Sequence, residues 1–209
     1  MVFGARLQQA RTAWIEDLSE ARNVLILGEG DGRFLEKALE IAPEARFTVV
    51  DGSHEMLNTA RKRIGTAASR VEFHHQTLPG DLSRICETGP FDAVTTHFFL
   101  DCFRDEELKK LVPAVTTLTA SEATWLISDF HVPTKRGMKR LFARSVVTTL
   151  YFVFRIMSGL RVSKLPDWKT ALKAAGWKQE HSHPKEPLLF ISDSWQRTKS
   201  SPPSTEQSD

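Results

Sequence analysis

Between an apolar run, Val24–Leu27, and the helix-like segment that follows Arg33, the chain reads Gly28-Glu29-Gly30-Asp31-Gly32. A glycine-rich turn between a strand and a helix lets a ligand approach the backbone closely. The ligand could be a dinucleotide, a phosphate or a group carrying positive charge. A dinucleotide fingerprint, G-x-G-x-x-G, would need its third glycine at position 33, which is Arg33. The spacing here is G-x-G-x-G, and Glu29 and Asp31 would repel a pyrophosphate. Spacing and charge together favour a ligand with a cationic portion. In the next apolar run, "FTVVDGSHEML", Asp51 stands about twenty residues beyond the glycines, where a carboxylate accepts both hydroxyls of an unmodified ribose. Capping the helix that starts near His54 is the other role open to Asp51, and Ser53 suits it equally. The two roles are compatible.

These residues need elements to hold them. Strands are predicted over Val24–Leu27, Phe47–Val50, Val71–His74, Ala93–Thr96 and Thr124–Ser128, with helices over Gly32–Ile41, Glu55–Ile64 and Asp105–Leu118. Short apolar runs alternating with helix-period segments predict a parallel sheet covered on both faces. Leu7–Leu18 reads as an amphipathic helix ahead of the first strand. Met138, Leu141, Phe142, Val146, Leu150, Val153, Met157 and Leu160 recur at helical spacing and predict a long helix, Gly137 to Leu160. Pro166-Asp167-Trp168 opens a helix that Gly176 closes. "WKQEHSH" and "LLFISDSW", separated by "PKEP", predict a closing antiparallel hairpin. The tail "RTKSSPPSTEQSD" is polar and rich in proline and serine, a disordered composition.

Composition narrows the class. A chain of 209 residues with 41% hydrophobic and 26% charged residues is expected to be one ordinary globular domain. A formal net charge of +2, with no appended binding module, argues against nucleic acid as a partner. Cys86 and Cys102 are far apart and form no C-x-x-C, which fits a thiol-reducing cytoplasm. The first residues carry charges throughout and show no apolar signal-peptide core. "SVVTTLYFVF", ending at Arg155, is far shorter than the roughly 20 apolar residues of a membrane span.

"LGEGDG" and "VVDGSHEML", followed by "VEFHHQTLP", "PFDAVTTHFFLDCF" and "ATWLISDF", resemble the class I S-adenosylmethionine-dependent methyltransferases. The D-x-S-x-x-M-L element is similar to that of the small-molecule and quinone-biosynthesis branch. The likeness runs from Asn23 to Trp195, nearly all of the ordered chain. It implies an α/β, Rossmann-like sheet of seven strands in the order 3-2-1-4-5-7-6. A closing antiparallel hairpin and a helical lid at about 137–160 complete it. Residues 1–22 would form an N-terminal helix over the cofactor and substrate side, 23–195 the methyltransferase domain, and 196–209 the tail.

The resemblance also implies roles. Gly28, Glu29, Gly30 and Gly32 would pass the methionine part of S-adenosylmethionine, Asp51 would hold the ribose, and Gly52, Ser53 and Met56 would border the adenine. Gln76, Thr77 and Leu78, with His75, would meet the adenine's far edge, while Thr95, Thr96 and His97 would face the sulfonium. The family usually carries an acid two residues before the first glycine; here that position is Ile26, and Glu29 is the nearby charge. Where an acid commonly meets the adenine amine, this chain has Gln76 or Thr77, whose amide oxygen or hydroxyl can accept the same bond. "GEGDG" is also similar to spermidine-synthase-like aminopropyltransferases. Their aspartate-rich polyamine site is missing here, with Asp101 the one acid in the matching stretch.

Methyl transfer needs alignment and water exclusion more than a fixed catalytic group; a base helps when the acceptor must lose a proton. His97 is the first candidate base, and hydrogen bonding to the cofactor carboxylate or backbone is its other reading. Asp129 and His131 reach the same rim as loop-shaping, substrate-side or catalytic groups. Tyr151, Phe152 and Phe154 on the long helix are candidates for an apolar or aromatic acceptor pocket. Lys135, Arg136, Lys139, Arg140 and Arg144 would orient an anionic group, touch a membrane surface or form a solvated face. His181 and His183 share a strand face without further metal ligands, and His74 and His75 point to opposite faces, so no metal is expected. The expected product is S-adenosylhomocysteine, the expected partner a small-molecule acceptor, and the expected state a monomer or homodimer. A non-catalytic cofactor-binding scaffold and a protein or RNA methyltransferase are the alternatives.

Overall fold

The computed structural model describes residues 2–80, 82–130, 165–185 and 190–198. Seven strands, β1 Asn23–Leu27, β2 Arg46–Asp51, β3 Val71–His75, β4 Phe91–His97, β5 Thr119–Phe130, β6 Trp177–Lys185 and β7 Phe190–Arg197, form one sheet. Their order is β3-β2-β1-β4-β5-β7-β6. Neighbours from β3 through β5 run parallel. β7 runs antiparallel between β5 and β6 and closes the sheet as a hairpin. From β1 the chain winds one way to β3 and then crosses back to β4. The carboxyl ends of β1 and β4 are therefore the switch point, where such sheets bind ligands.

Among the described residues six α-helices cover the sheet: α1 Val2–Arg11, α2 Arg33–Ile41, α3 His54–Ile64, α4 Ser83–Cys86, α5 Asp105–Thr117 and α6 Trp168–Ala174. Strand alternation divides the core into two layers. Val24 and Ile26 of β1 pack with Phe34, Leu35, Ala38 and Leu39 of α2, Leu57 of α3 and Ala93 of β4. Leu25 and Leu27 pack on the other face with Leu108, Leu111 and Val115 of α5 and Leu172 of α6. α3 and α6 start where short polar side chains take up their first N–H groups. Ser53 Oγ accepts from the Met56 N–H at 3.3 Å, and Asp167 Oδ1 accepts from the Thr170 N–H at 3.1 Å. Gly176, in the left-handed region at φ +85°, follows α6.

Three expectations change. The helix predicted over Leu7–Leu18 begins earlier, ends at Arg11 and resumes only as a 3₁₀ turn, Ile15–Leu18. Tertiary bonds cause the break: the Ala10 carbonyl accepts from the Ser128 and Ser192 hydroxyls, each at 2.8 Å, and the Trp14 indole N–H donates to the Ser192 carbonyl at 2.9 Å. β5 begins at Thr119, five residues ahead of the predicted start at Thr124, and a register irregularity at Phe91/Ala93 absorbs the extension. Gln196 and Arg197, assigned to the tail, belong to β7, where Arg197 donates to Thr119. The lid helix, with Tyr151, Phe152 and Phe154, lies outside the described residues, as do His131, the basic residues from Lys135 to Arg144 and the tail from position 199. No described helix is long and apolar enough to cross a membrane.

Candidate functional site

The turn from β1 to α2 is built by Gly28, Gly30 and Gly32 at φ +72°, +70° and +86°, all in the region that favours glycine. A β-carbon on Gly28 would run into the Phe99 ring, and one on Gly32 would sit 2.7 Å from Ala60 Cα. Gly30 differs: a β-carbon there would meet nothing within 4 Å. The backbone of Gly30 therefore borders open space. Its N–H donates to Asp51 Oδ2 at 3.0 Å, while Asp51 Oδ1 accepts from the Ser53 N–H at 2.8 Å. Each carboxylate oxygen can accept a second bond, so Asp51 braces the turn and still has capacity toward a ligand. Met56, in the first turn of α3, is 38% exposed and is the one large apolar side chain left exposed among the described residues. At the ends of β2 and β3, Thr77 Oγ1 lies 3.5 Å from the position of a β-carbon on Gly52, and the Gln76 N–H donates to the Asp51 carbonyl at 3.0 Å. Leu78 packs against the α5-side core.

The two acids of the turn do not present their charge to this space. Asp31 is ion-paired with Arg33 at 2.9 Å and Arg63 at 3.6 Å. Glu29 is buried, and its Oε1 accepts from the N–H groups of Phe34 at 3.2 Å and Leu35 at 3.0 Å at the start of α2. Gly32 brings no capping side chain, so Glu29 supplies the acceptor that the first turn needs. Burial raises its carboxyl to about 7, against the lowering pull of those bonds and of Arg11. Ile26, at the position where the resemblance implies an acid, is core between β1 and α2. Glu29 and Asp31 are thus engaged within the protein, and Asp51 is the acid of this site with accepting capacity left over.

A second group gathers where β4 and β5 end and β7 begins. Alternation turns Thr95 and His97 to the α2 side, where His97 meets the Phe34 ring edge-on at 4.3 Å. Thr96 faces the α5 side instead, and its Oγ1 accepts from the Trp125 indole N–H at 3.0 Å. The three residues expected to face one ligand atom are therefore split between the two faces. Both ring nitrogens of His97 are buried without a hydrogen-bond partner, as are Thr95 Oγ1 and Arg11 Nε. Burial, and then the Arg11 charge, hold His97 well below its usual value, so it is a neutral ring. Phe98 takes φ +55°, uncommon for a residue with a side chain, and its N–H donates to the Ser128 carbonyl at 2.7 Å. Its ring lies 5.1 Å from Phe130 and 5.5 Å from Phe190, and the Arg11 guanidinium sits over it at 5.6 Å.

Residues 24–122 match a family described as a methyltransferase domain. No curated protein matches the chain. Among solved structures, mitomycin 7-O-methyltransferase superposes with a TM-score of 0.67 at 20% identity, over 94% of this chain and 54% of that one. Human N-acetylserotonin methyltransferase in complex with SAM gives 0.67 at 16%, over 94% and 53%. An O-methyltransferase family 2 protein from Planctomyces limnophilus, in complex with apigenin, gives 0.70 at 15%, over 94% and 60%. The chain thus spans little more than half the length of each. The strand order decides the fold. This is a class I methyltransferase fold.

On the methyltransferase sheet the expected residues fall into separate groups. Gly28, Gly30, Gly32, Asp51, Gly52, Ser53, Met56, Gln76 and Thr77 line the carboxyl ends of β1, β2 and β3. His97 and Thr95 stand at the end of β4, while Thr96 and Leu78 point into the α5-side layer. Asp129 is fully buried on that layer too, accepting from the N–H groups of Asp101 at 3.1 Å and Phe130 at 2.9 Å. Burial and the neighbouring Asp101 carboxylate push Asp129 well above the usual range. It ties the Phe98–Phe103 turn to β5 and is not brought to His97. His181 and His183 do share a face of β6, and Trp14 covers it, stacking on His181 at 5.0 Å and meeting His183 edge-on at 6.3 Å. Among the described residues no three His, Cys, Asp or Glu side chains gather as a metal site. Arg11, Phe98, Phe130 and Phe190 escaped the sequence reading. An aromatic residue just past two predicted strand ends, in "HFF" and "SDF", was the available signal.

Proposed function

We propose that the protein transfers a methyl group from S-adenosylmethionine to a small, largely apolar or aromatic acceptor and releases S-adenosylhomocysteine. The pairing of the open, left-handed Gly30 with Asp51 carries this reading. The residues present fit the cofactor: Asp51 has accepting capacity for ribose hydroxyls, Met56 offers an exposed apolar surface for a base, and the Gly30 backbone has room for a chain to pass. Gly28, Gly30 and Gly32 would then hold the methionine part, with Glu29 acting indirectly by fixing the start of α2. Gly52, Ser53, Met56, Gln76 and Thr77 would border the adenine.

The bound cofactor supplies a methyl group already activated on a sulfonium. The chain's task is to orient the acceptor and exclude water. His97, held neutral, acts as a hydrogen-bonding group at the acceptor end rather than as a strong base. Phe98, Phe130 and Phe190 give that end an apolar wall, which supports an aromatic or apolar acceptor. The free thiols Cys86 and Cys102 support a cytoplasmic location. Incubation with methyl-labelled S-adenosylmethionine and a metabolite extract is expected to yield a labelled small molecule. Label on protein or RNA alone would change the acceptor class, and no transfer to any fraction would overturn the activity.

A further inference from the structure

The corner between the end of α1 and the end of β4 holds buried polar atoms without partners: Arg11 Nε, Thr95 Oγ1 and both ring nitrogens of His97. Thr95 is fully buried and His97 is 6% exposed. Buried polar groups are nearly always bonded, and several left open on one side of one strand mark a place a ligand completes. Arg11 also forms no salt bridge among the described residues. The accepting oxygen of Glu29, whose charge is felt at Arg11, is engaged by α2.

We infer that this corner binds an anionic oxygen of the acceptor, which makes the substrate an aromatic acid rather than an amine. The inference rests on the methyl-transfer reading. A guanidinium only donates, and a threonine hydroxyl can donate as well, so the open bonds suit an oxygen acceptor. An ammonium group would meet the Arg11 charge across a dry gap and be repelled. The aromatic wall adjoins the cation, since Arg11 lies over Phe98 and Phe98 touches Phe130 and Phe190. A ring would rest on that wall while its acidic substituent reaches Arg11, Thr95 and His97. In the sheet, β1 and β4 separate this wall on β5 and β7 from Asp51 on β2.

The test titrates 4-hydroxybenzoate and its neutral amide, 4-hydroxybenzamide, into the full chain saturated with S-adenosylhomocysteine. Wild type is expected to bind the acid about tenfold more tightly than the amide, the size of one charge-assisted contact. Arg11→Gln should level the two ligands, and Arg11→Lys should keep part of the preference. Thr95→Val should weaken the acid severalfold while the melting temperature stays or rises, because the hydroxyl it removes has no partner in the fold. Equal affinity for acid and amide in wild type, or no binding of either, would overturn the inference. So would a tenfold loss of S-adenosylhomocysteine binding in Arg11→Gln, which would assign the anion to the cofactor's own carboxylate. Failure of wild type to bind S-adenosylhomocysteine would instead defeat the methyl-transfer reading, and the acid–amide comparison would then be read on the unloaded protein.

Discussion

The glycine turn and the rim at β4, β5 and β7 are assembled in opposite ways. The turn closes on itself over short distances: Glu29 reaches Phe34 and Leu35, and Gly30 reaches Asp51, 21 residues away. The rim is held from the far ends of the chain, with Ser128 and Ser192 bonding Ala10 across 118 and 182 residues. A site made of neighbours in sequence is stiff once its strand and helix form. A site made of distant segments depends on the whole sheet being in register. The cofactor half should therefore tolerate loss of the N-terminal segment better than the acceptor half does.

The comparison can be broken most sharply at the glycines. Gly32→Val places a branched side chain at φ +86° against Ala60 and should cost about 2–5 kcal/mol in denaturant unfolding. Gly30→Ala meets open space and should cost only about 1–2 kcal/mol, the conformational term alone, while impairing cofactor binding. Equal losses at the two positions would mean that Gly30 does not border a ligand space. Next in size, Asp51→Ala should weaken S-adenosylhomocysteine by about ten- to a hundredfold, or 1.5–3 kcal/mol, with the fold retained. Unchanged affinity would remove Asp51 from the site.

On the rim, Ser128→Ala with Ser192→Ala strips both side-chain donors from the Ala10 carbonyl. The pair should cost about 1–3 kcal/mol and speed amide exchange in α1, leaving α2 and α3 protected. The smallest effect separates the halves by pH. The Glu29 carboxyl rises from its ordinary 4.5 to about 7 on folding, so the native state binds the extra proton between those limits. Stability from this group is full below about pH 4.5 and is lost as pH rises toward 7 and beyond. Wild type should lose about 1 kcal/mol more than Glu29→Gln between pH 6 and 8 in urea titrations. Parallel pH curves for the two proteins would contradict the burial of a charged cap.

What could be read from the sequence divides along the same line. Strand and helix existence follow from periodicity and the position of Asp51 from residues close together in the chain, whereas the strand order is what the resemblance implies. The partners of the charges in the turn are not legible, because composition shows Glu29 and Asp31 but not that α2, Arg33 and Arg63 engage them. Splitting Thr96 from Thr95 and His97 needed only strand alternation and was within reach. Its strand position puts Asp129 at the rim, but its side chain lies on the buried face beside Asp101. Arg11 carries no signal in the sequence: its meeting with Phe98 depends on α1 ending at Arg11, where the predicted helix runs on to Leu18.

The pairing of Gly30 with Asp51 as a binding site for S-adenosylmethionine is tested most directly by calorimetry on the full chain with S-adenosylhomocysteine, S-adenosylmethionine and NAD, with Asp51→Ala alongside. Wild type should bind the two sulfur nucleosides and not NAD, and Asp51→Ala should bind both at least about tenfold more weakly. Binding of NAD alone, or of none of the three by the folded wild-type protein, would contradict it.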